Sequence, residues 1–365
     1  MRVLALSNFP RSAAATRFRI EQFIDPLHIH GIEVDVRPFL RDEQFRGMYT
    51  SRWTASNLVG IARSITDRVG DAFSVRNYDL LFVQREAMFF GPEIFERLFQ
   101  SIGRLPMVLD LDDATYVPYV SPSYGRLGSY LKFFGKTDRL IHCSHTVVCG
   151  NRFIAEYVAS KGTKAVVIPT VVDTNIFAPV TRSNTVPVIG WIGTPSTFKV
   201  LESIFPVIQN LARKHRFVFK VIGSGREPLK IEGVEVFSRE WQLSTEVSDF
   251  QSIDIGLYPI TVTESMPSDW IIAKSGFKAI QYFALGIPFV MSPVGICAEI
   301  GIPNVTHLTA STDEEWFQSL DRLLTEEPLR KQIGDAGREH SLRNYQLSEQ
   351  TTKLIEVLES AANPK

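Results

Sequence analysis

The chain reads as an α/β protein built from two parallel-sheet domains. Three observations predict this. Short apolar runs alternate with amphipathic segments, the pattern of a parallel sheet wrapped by helices. The alternation stops at an aperiodic stretch and then begins again. The length, 365 residues, exceeds what one hydrophobic core usually organises.

In the first half, Val3–Leu6, Glu33–Val36, Leu80–Val83, Val108–Leu111, Val147–Cys149 and Val166–Ile168 read as strands. Each is short and rich in β-branched or aliphatic residues. Between them lie helical patterns such as Phe18–His30, closed by Gly31, and Asn57–Phe73. The stretch Pro169–Pro187, rich in Pro, Thr and Asn, lacks periodicity and reads as the linker. Beyond it, Val188–Ile192, Phe217–Ile222, Val234–Phe237, Ile255–Tyr258 and Phe289–Met291 form a second set of strands. Their helices include Phe198–Lys214 and Phe277–Leu285, and Asp313–Thr325, Pro328–Arg343 and Ser348–Ala361 follow. The expected division is a first domain over 1–175, a second over 176–345, and a terminal helix in 346–365 that is free to pack back on the first.

Net charge is −1 and hydrophobic content 44%, which excludes a general nucleic-acid binder and suits a soluble globular protein. The charge is uneven: residues 1–170 carry 21 Lys+Arg against 17 Asp+Glu, and the remainder 18 against 23. A mildly basic first half suits an acidic acceptor or an anionic membrane surface. The three cysteines, Cys143, Cys149 and Cys297, give no disulfide framework and fit a reducing compartment. His142, Cys143 and His145 lack a partner pair at zinc spacing, so no metal is expected. No apolar run has transmembrane length, and Met1–Pro10 has too short an apolar core for a signal peptide. A cytoplasmic location is the expectation.

The densest chemistry lies in Lys274–Gly295. Lys274, Lys278 and Gln281, spaced i, i+4, i+7, would stack on one helix face. Ser275 reads as the N-cap, with Gly276 leaving the first turn open. Free N–H groups at a helix start, with cations beside them, suit a diphosphate. Gly190–Lys199 is a strand followed by Gly, Pro, Ser and Thr and then a helix, with Lys199 just inside it. Val221–Glu227 contains Gly223-Ser224-Gly225 but lacks the rest of a dinucleotide fingerprint. In the first half, Arg17 and Arg19 open a helix after the first strand, and arginine suits bidentate phosphate or carboxylate binding. Three acids, Asp110, Asp112 and Asp113, end one strand. They could accept hydrogen bonds from sugar hydroxyls, act as a base, bind Mg²⁺, or cap the next helix. Phe45, Tyr49 and Trp53 precede Asn57–Phe73, a basic, aromatic flank that lipid-linked acceptors would favour. Its stripe Leu58, Ile61, Ile65, Val69 has the spacing of a core face.

At Ile189–Thr197, Asp254–Pro259 and Lys274–Gly295 the chain resembles the family 4 glycosyltransferases of the GT-B fold, over nearly its whole length. Val167–Pro179 is similar to that family's interdomain segment, and Arg17-Phe18-Arg19 with Gln22 and Asp110–Ala114 resemble one bacterial subgroup. The resemblance implies two Rossmann-like domains facing a central cleft. It implies a retaining, metal-independent transfer of sugar from a nucleoside diphosphate sugar to a glycan, lipid-linked or small-molecule acceptor, without further cofactor. Lys199 and Lys278 would face the diphosphate, with Gly193, Thr194, Ser196, Lys274 and Ser275 around it. Gly276 and Phe277 would lie along the donor, and Gln281 would meet the nucleotide ribose. Asp112 or Asp113 would stand beside the transferred sugar, and Arg17 and Arg19 on the acceptor or phosphate side. Thr194 stands where the family has an arginine, and Ala273 and Gln281 where it has two glutamates. The alternatives are a nucleotide-sugar epimerase or phosphorylase on the same fold, or a non-catalytic nucleotide-sugar-binding protein. Polysaccharide biosynthesis, with peripheral contact at the inner face of a membrane, is the setting the resemblance implies.

Overall fold

The computed structural model describes residues 1–50, 55–120, 125–181, 184–263 and 267–363. Its contacts divide the chain into two compact units: Met1–Thr170 with Glu264–Ser275 and Leu347–Lys365, and Val171–Thr263 with Gly276–Gln346.

The first unit holds a six-stranded sheet of order β2-β1-β3-β4-β5-β6. The strands are β1 (Arg2–Ser7), β2 (Glu33–Pro38), β3 (Leu80–Gln84), β4 (Met107–Leu111), β5 (Thr146–Cys149) and β6 (Ala165–Val167). Every pairing is parallel. A parallel sheet is covered on both faces, so its inner strands are mostly apolar; all five residues of β3 and of β4 are buried, Gln84 and Asp110 among them. The strand order reverses between β1 and β3, and ligands bind outside the carboxyl ends at such a reversal. The last helix, Leu347–Ala362, packs in this unit against the helix Gln22–Ile29 and against β3 and β4.

The second unit repeats the plan with order β12-β11-β10-β7-β8-β9. Its strands are β7 (Val188–Ile192), β8 (Val218–Ile222), β9 (Val236–Arg239), β10 (Ile255–Tyr258), β11 (Phe289–Met291) and β12 (Leu308–Thr309), again all parallel. The order reverses between β7 and β10. The helix Phe277–Ala284 is held across this reversal by Tyr282, whose hydroxyl donates toward the carbonyls of Leu257 (3.1 Å) and Gly190 (3.3 Å).

The strand expected at Val234–Phe237 lies two residues later, at Val236–Arg239, and two helical segments differ from the sequence expectation. The pattern Phe198–Lys214 is two helices, Pro195–Glu202 and Phe205–Lys214, because Pro206 cannot supply an interior N–H and suits a helix start. The first helical segment contains a wider turn, Arg17–Glu21, in which Gln22 N–H bonds the Arg17 carbonyl five residues back.

Buried polar groups brace each unit from within. Arg19, 3% exposed, donates through Nε to both carboxylate oxygens of Asp110 (3.2 and 3.1 Å) and through Nη1 to the Ile168 carbonyl (2.7 Å). Burial opposes the guanidinium charge, yet Asp110 outweighs it and holds the pKa above its ordinary value. Removing one member strands the other in a dry interior. Arg19→Ala is therefore expected to destabilise the protein by about 3–5 kcal/mol, measured by urea denaturation, with Arg19→Met/Asp110→Leu recovering most of the loss.

In the second unit His307 is fully buried, stacked on Phe289 (5.4 Å, 13°). Burial, and secondarily His340, lower its pKa to about 4. The unfolded chain, with an ordinary imidazole, then binds the extra proton, so stability is present above about pH 6.5 and falls as pH drops toward 4. Unfolding free energies across this window are expected to decline by about 3 kcal/mol, and His307→Gln to flatten that decline.

Candidate functional site

In the second unit the candidate residues gather at the carboxyl edge of the sheet. Gly193 and Thr194 follow β7 directly, and Ser196 and Lys199 sit in the helix Pro195–Glu202. The Thr194 N–H donates to Thr197 Oγ1 (3.2 Å), and the Thr194 and Ser196 hydroxyls share a hydrogen bond at 2.8 Å. Where an arginine would bring charge, this corner carries neutral hydroxyls, and Lys199 is exposed. The loop after β8 lies against it: a Cβ on Gly223, at φ +77°, would stand 2.5 Å from the Gly193 carbonyl oxygen. Only glycine fits that contact.

The Lys274 segment is arranged differently from the sequence reading. Its helix begins at Phe277, and the N-cap is Gly276 at φ +64°, not Ser275. Lys274 and Ser275 precede the helix and group with the first unit, whereas Gly276, Phe277, Lys278 and Gln281 group with the second. The expected three-residue stack therefore reduces to Lys278 and Gln281, spaced i, i+3. The reason is steric: a Cβ on Gly276 would come within 2.1 Å of Ile300 Cδ1, so the glycine seats where the chain turns into the helix. Before it, Asn151 Nδ2 donates to the Ala273 carbonyl (2.9 Å), holding Lys274 and its neighbours on the first unit. Lys278 is half-buried with Nζ 5.8 Å from the Phe250 ring centroid, and Gln281 is 3% exposed one turn further in.

In the first unit the candidate acids are already paired. Asp112 receives Arg85 Nε (2.6 Å) and Nη2 (2.7 Å), and the same Nη2 reaches Asp113 at 2.7 Å. Burial pushes the Asp112 carboxyl up, but the Arg85 guanidinium outweighs it and holds the pKa below the usual range. Asp112 is thus an ionised carboxylate and a weak proton acceptor. No helix begins at Ala114, so these acids cap nothing. Arg19 is committed to Asp110, as described, and leaves no exposed fork for a phosphate. Arg17 stacks on Phe18, its guanidinium carbon 4.6 Å from the ring centroid.

Sequence reasoning missed Arg85 and the cluster beside it. Arg85 sits at φ +64° directly after β3, a conformation rare for a non-glycine residue. Glu86, 3% exposed, receives Lys136 Nζ (2.7 Å) and Asn8 Nδ2 (3.0 Å). Asn8 follows β1 and Glu86 follows β3, so this cluster marks the strand-order reversal of the first sheet. The signal was Gln84-Arg85-Glu86 immediately after the apolar run Leu80–Val83.

The aromatic flank is only partly described. Trp53 lies outside the described residues, as do the side chains of Tyr49 and Leu58. Phe45 packs on Phe9 (5.4 Å between centroids) and Ile65 on the core, while Val69 is 45% exposed. Among the described residues no helix is long and apolar enough to cross a membrane.

No family model and no curated protein matches the chain. Solved structures do. A glycosyltransferase from Rickettsia africae aligns with a TM-score of 0.68 at 15% identity, covering 100% of this chain and 99% of that one. A sucrose-phosphate synthase from Thermosynechococcus elongatus gives 0.69 at 12%, over 99% of each. Anabaena HepE in complex with UDP-glucose gives 0.65 at 13%, over 99% of this chain and 100% of that one. The chain has the GT-B fold. Two of the candidate lysines, Lys199 and Lys278, lie in the second unit, whose strand order reverses between β7 and β10.

Gly276→Ala tests the helix start. A Cβ there meets both a left-handed φ and Ile300, so a stability loss of roughly 1–3 kcal/mol is expected, read as a lower Tm in calorimetry.

Proposed function

We propose that this chain is a glycosyltransferase that transfers a sugar from a nucleoside diphosphate sugar. The observation that carries this reading is likeness of fold over the whole chain to glycosyltransferases, one of them in complex with UDP-glucose. The residues present agree with it. The carboxyl edge of the second sheet carries hydroxyls at Thr194 and Ser196, cations at Lys199 and Lys278 and a helix start at Phe277, groups suited to a diphosphate leaving group.

In this reading Lys278 and Lys199 stabilise the departing diphosphate, with Gly193 and Gly276 permitting close backbone approach. Phe277 lies along the donor, and the Gln281 amide meets a ribose hydroxyl. Lys274 and Ser275, which directly precede the Gly276 N-cap, add a cation and a hydroxyl toward the same diphosphate. Because Asp112 is held ionised by Arg85, its role is electrostatic: Asp112 and Asp113 accept hydrogen bonds from sugar hydroxyls and stabilise positive charge developing at the anomeric carbon. That role fits transfer with retention, which needs no strong base. Arg17 is the group proposed on the acceptor side, for a glycan or lipid-linked acceptor, and no metal or cofactor enters the scheme.

A ligand that binds only the folded state raises Tm by mass action. Thermal shift with a panel of nucleoside diphosphates and their sugars is expected to identify one stabilising nucleotide. Lys278→Ala is expected to weaken its binding by about tenfold or more, the loss of one charge-assisted contact to phosphate, without changing the unliganded Tm by more than a degree or two. Unaltered affinity in the variant would remove Lys278 from the site. Binding without turnover of any donor would favour the non-catalytic alternative.

A further inference from the structure

At the carboxyl ends of β3 and β4 one guanidinium serves two acids. Arg85 sets Nε and Nη2 on the two oxygens of Asp112 (2.6 and 2.7 Å), and Nη2 also reaches Asp113 (2.7 Å). Among the described residues no other cation pairs with either acid. The neighbouring charges are matched elsewhere: Arg19 meets Asp110, and Lys136 and, at longer range, Lys132 meet Glu86. Tyr119 lies near Arg85, and its hydroxyl accepts from Lys132 Nζ (3.1 Å). On β5, Cys149 faces Asp110. Gly150, which follows it, packs on Asp112 and brings no charge; a Cβ there would stand 3.0 Å from Asp112 Cα.

The backbone is bent to place this guanidinium. The Gln84 carbonyl accepts from the Glu86 N–H (2.8 Å), closing a γ-turn with Arg85 at its centre, φ +64°. With positive φ this turn is rare and strained, and a non-glycine residue keeps it only where its surroundings enforce it. The Arg85 N–H is fixed in turn by the Asp110 carbonyl (2.8 Å). A purely structural brace needs no such turn. Arg19 and Asp110 make one without positive φ, with side chains 2% and 1% exposed. Arg85 and Asp113 instead keep 18% and 17%. They stand at strand ends beside the β1–β3 reversal, where open sheets bind ligands.

We propose that Arg85 is a positioning residue for sugar transfer: its fork holds the Asp112 and Asp113 carboxylates as one rigid unit beside the transferred sugar. This rests on the sugar-transfer reading, in which those acids stand at that sugar. A lysine has one ammonium and cannot engage both acids in the same geometry. Without the cation, burial and the like charge of Asp113 favour the protonated form of Asp112. With Arg85 in place that carboxyl stays below its ordinary range despite burial. Wild type therefore keeps Asp112 ionised as pH falls, and a variant lacking the guanidinium takes up the proton at higher pH.

The test compares wild type with Arg85→Lys and Arg85→Gly; glycine adopts the positive φ freely, so the fold survives. Nucleoside diphosphate released from UDP-glucose, ADP-glucose and GDP-mannose is measured across pH. The Asp112 carboxyl is followed by carbon NMR and assigned through Asp112→Asn. Arg85→Gly is expected to lower kcat by about 100-fold with KM nearly unchanged. It is expected to raise the acidic limb of kcat, and the Asp112 titration with it, by roughly 1–3 pH units. Arg85→Lys is expected to restore part of kcat and to reverse part of the shift. Wild-type kcat in Arg85→Gly overturns the proposal. So does a loss of kcat that is equal at every pH with the Asp112 titration unmoved, the result of a merely structural role. A wild type that releases no diphosphate from any of these donors overturns the sugar-transfer reading itself, and this role with it.

Discussion

Parallel strand pairing is the constraint on which this protein depends. A parallel sheet needs crossover helices, and those helices cover both of its faces. Polar chemistry then has little room within the sheet and collects where strands end. In the first unit Asn8, Arg85, Glu86, Asp112 and Asp113 follow directly on β1, β3 and β4. In the second, Gly193 and Thr194 follow β7, and the Lys278 helix starts at the same edge, held by Tyr282 across β7 and β10.

The two edges treat charge differently. In the first unit the acids meet bases: Asp110 with Arg19, Asp112 and Asp113 with Arg85, Glu86 with Lys136. These groups are largely withdrawn from water, so each pair must be satisfied or the fold weakens. In the second unit the candidate residues at the edge are cationic or neutral. That asymmetry separates a rigid, internally balanced edge from one whose charge suits an anionic ligand.

Much of the fold was legible because buried parallel strands are continuous apolar runs. Val188–Ile192, Ile255–Tyr258, Phe289–Met291 and the helix Asp313–Thr325 match the sequence reading residue for residue. β12, two residues long, is too short to carry a pattern. The helix Phe277–Ala284 starts where the sequence places it, but its N-cap was read one residue early, since serine is the better N-cap by propensity. Ile300, distant in sequence, makes Gly276 the residue that fits. Arg19 and Arg17 looked alike as arginines at a helix start, and only packing separated them.

The order of residues by itself determined the α/β class, the two rounds of strands and the presence of hydroxyls and lysines at strand ends, because hydrophobic periodicity and local propensity act over a few residues. The tertiary structure decided which charges are spent on one another. Arg19 and Asp110 are 91 residues apart, and Arg85 and Asp112 are 27 apart. Ion pairing of that kind depends on through-space distance and burial, and neither is written in a local stretch of chain.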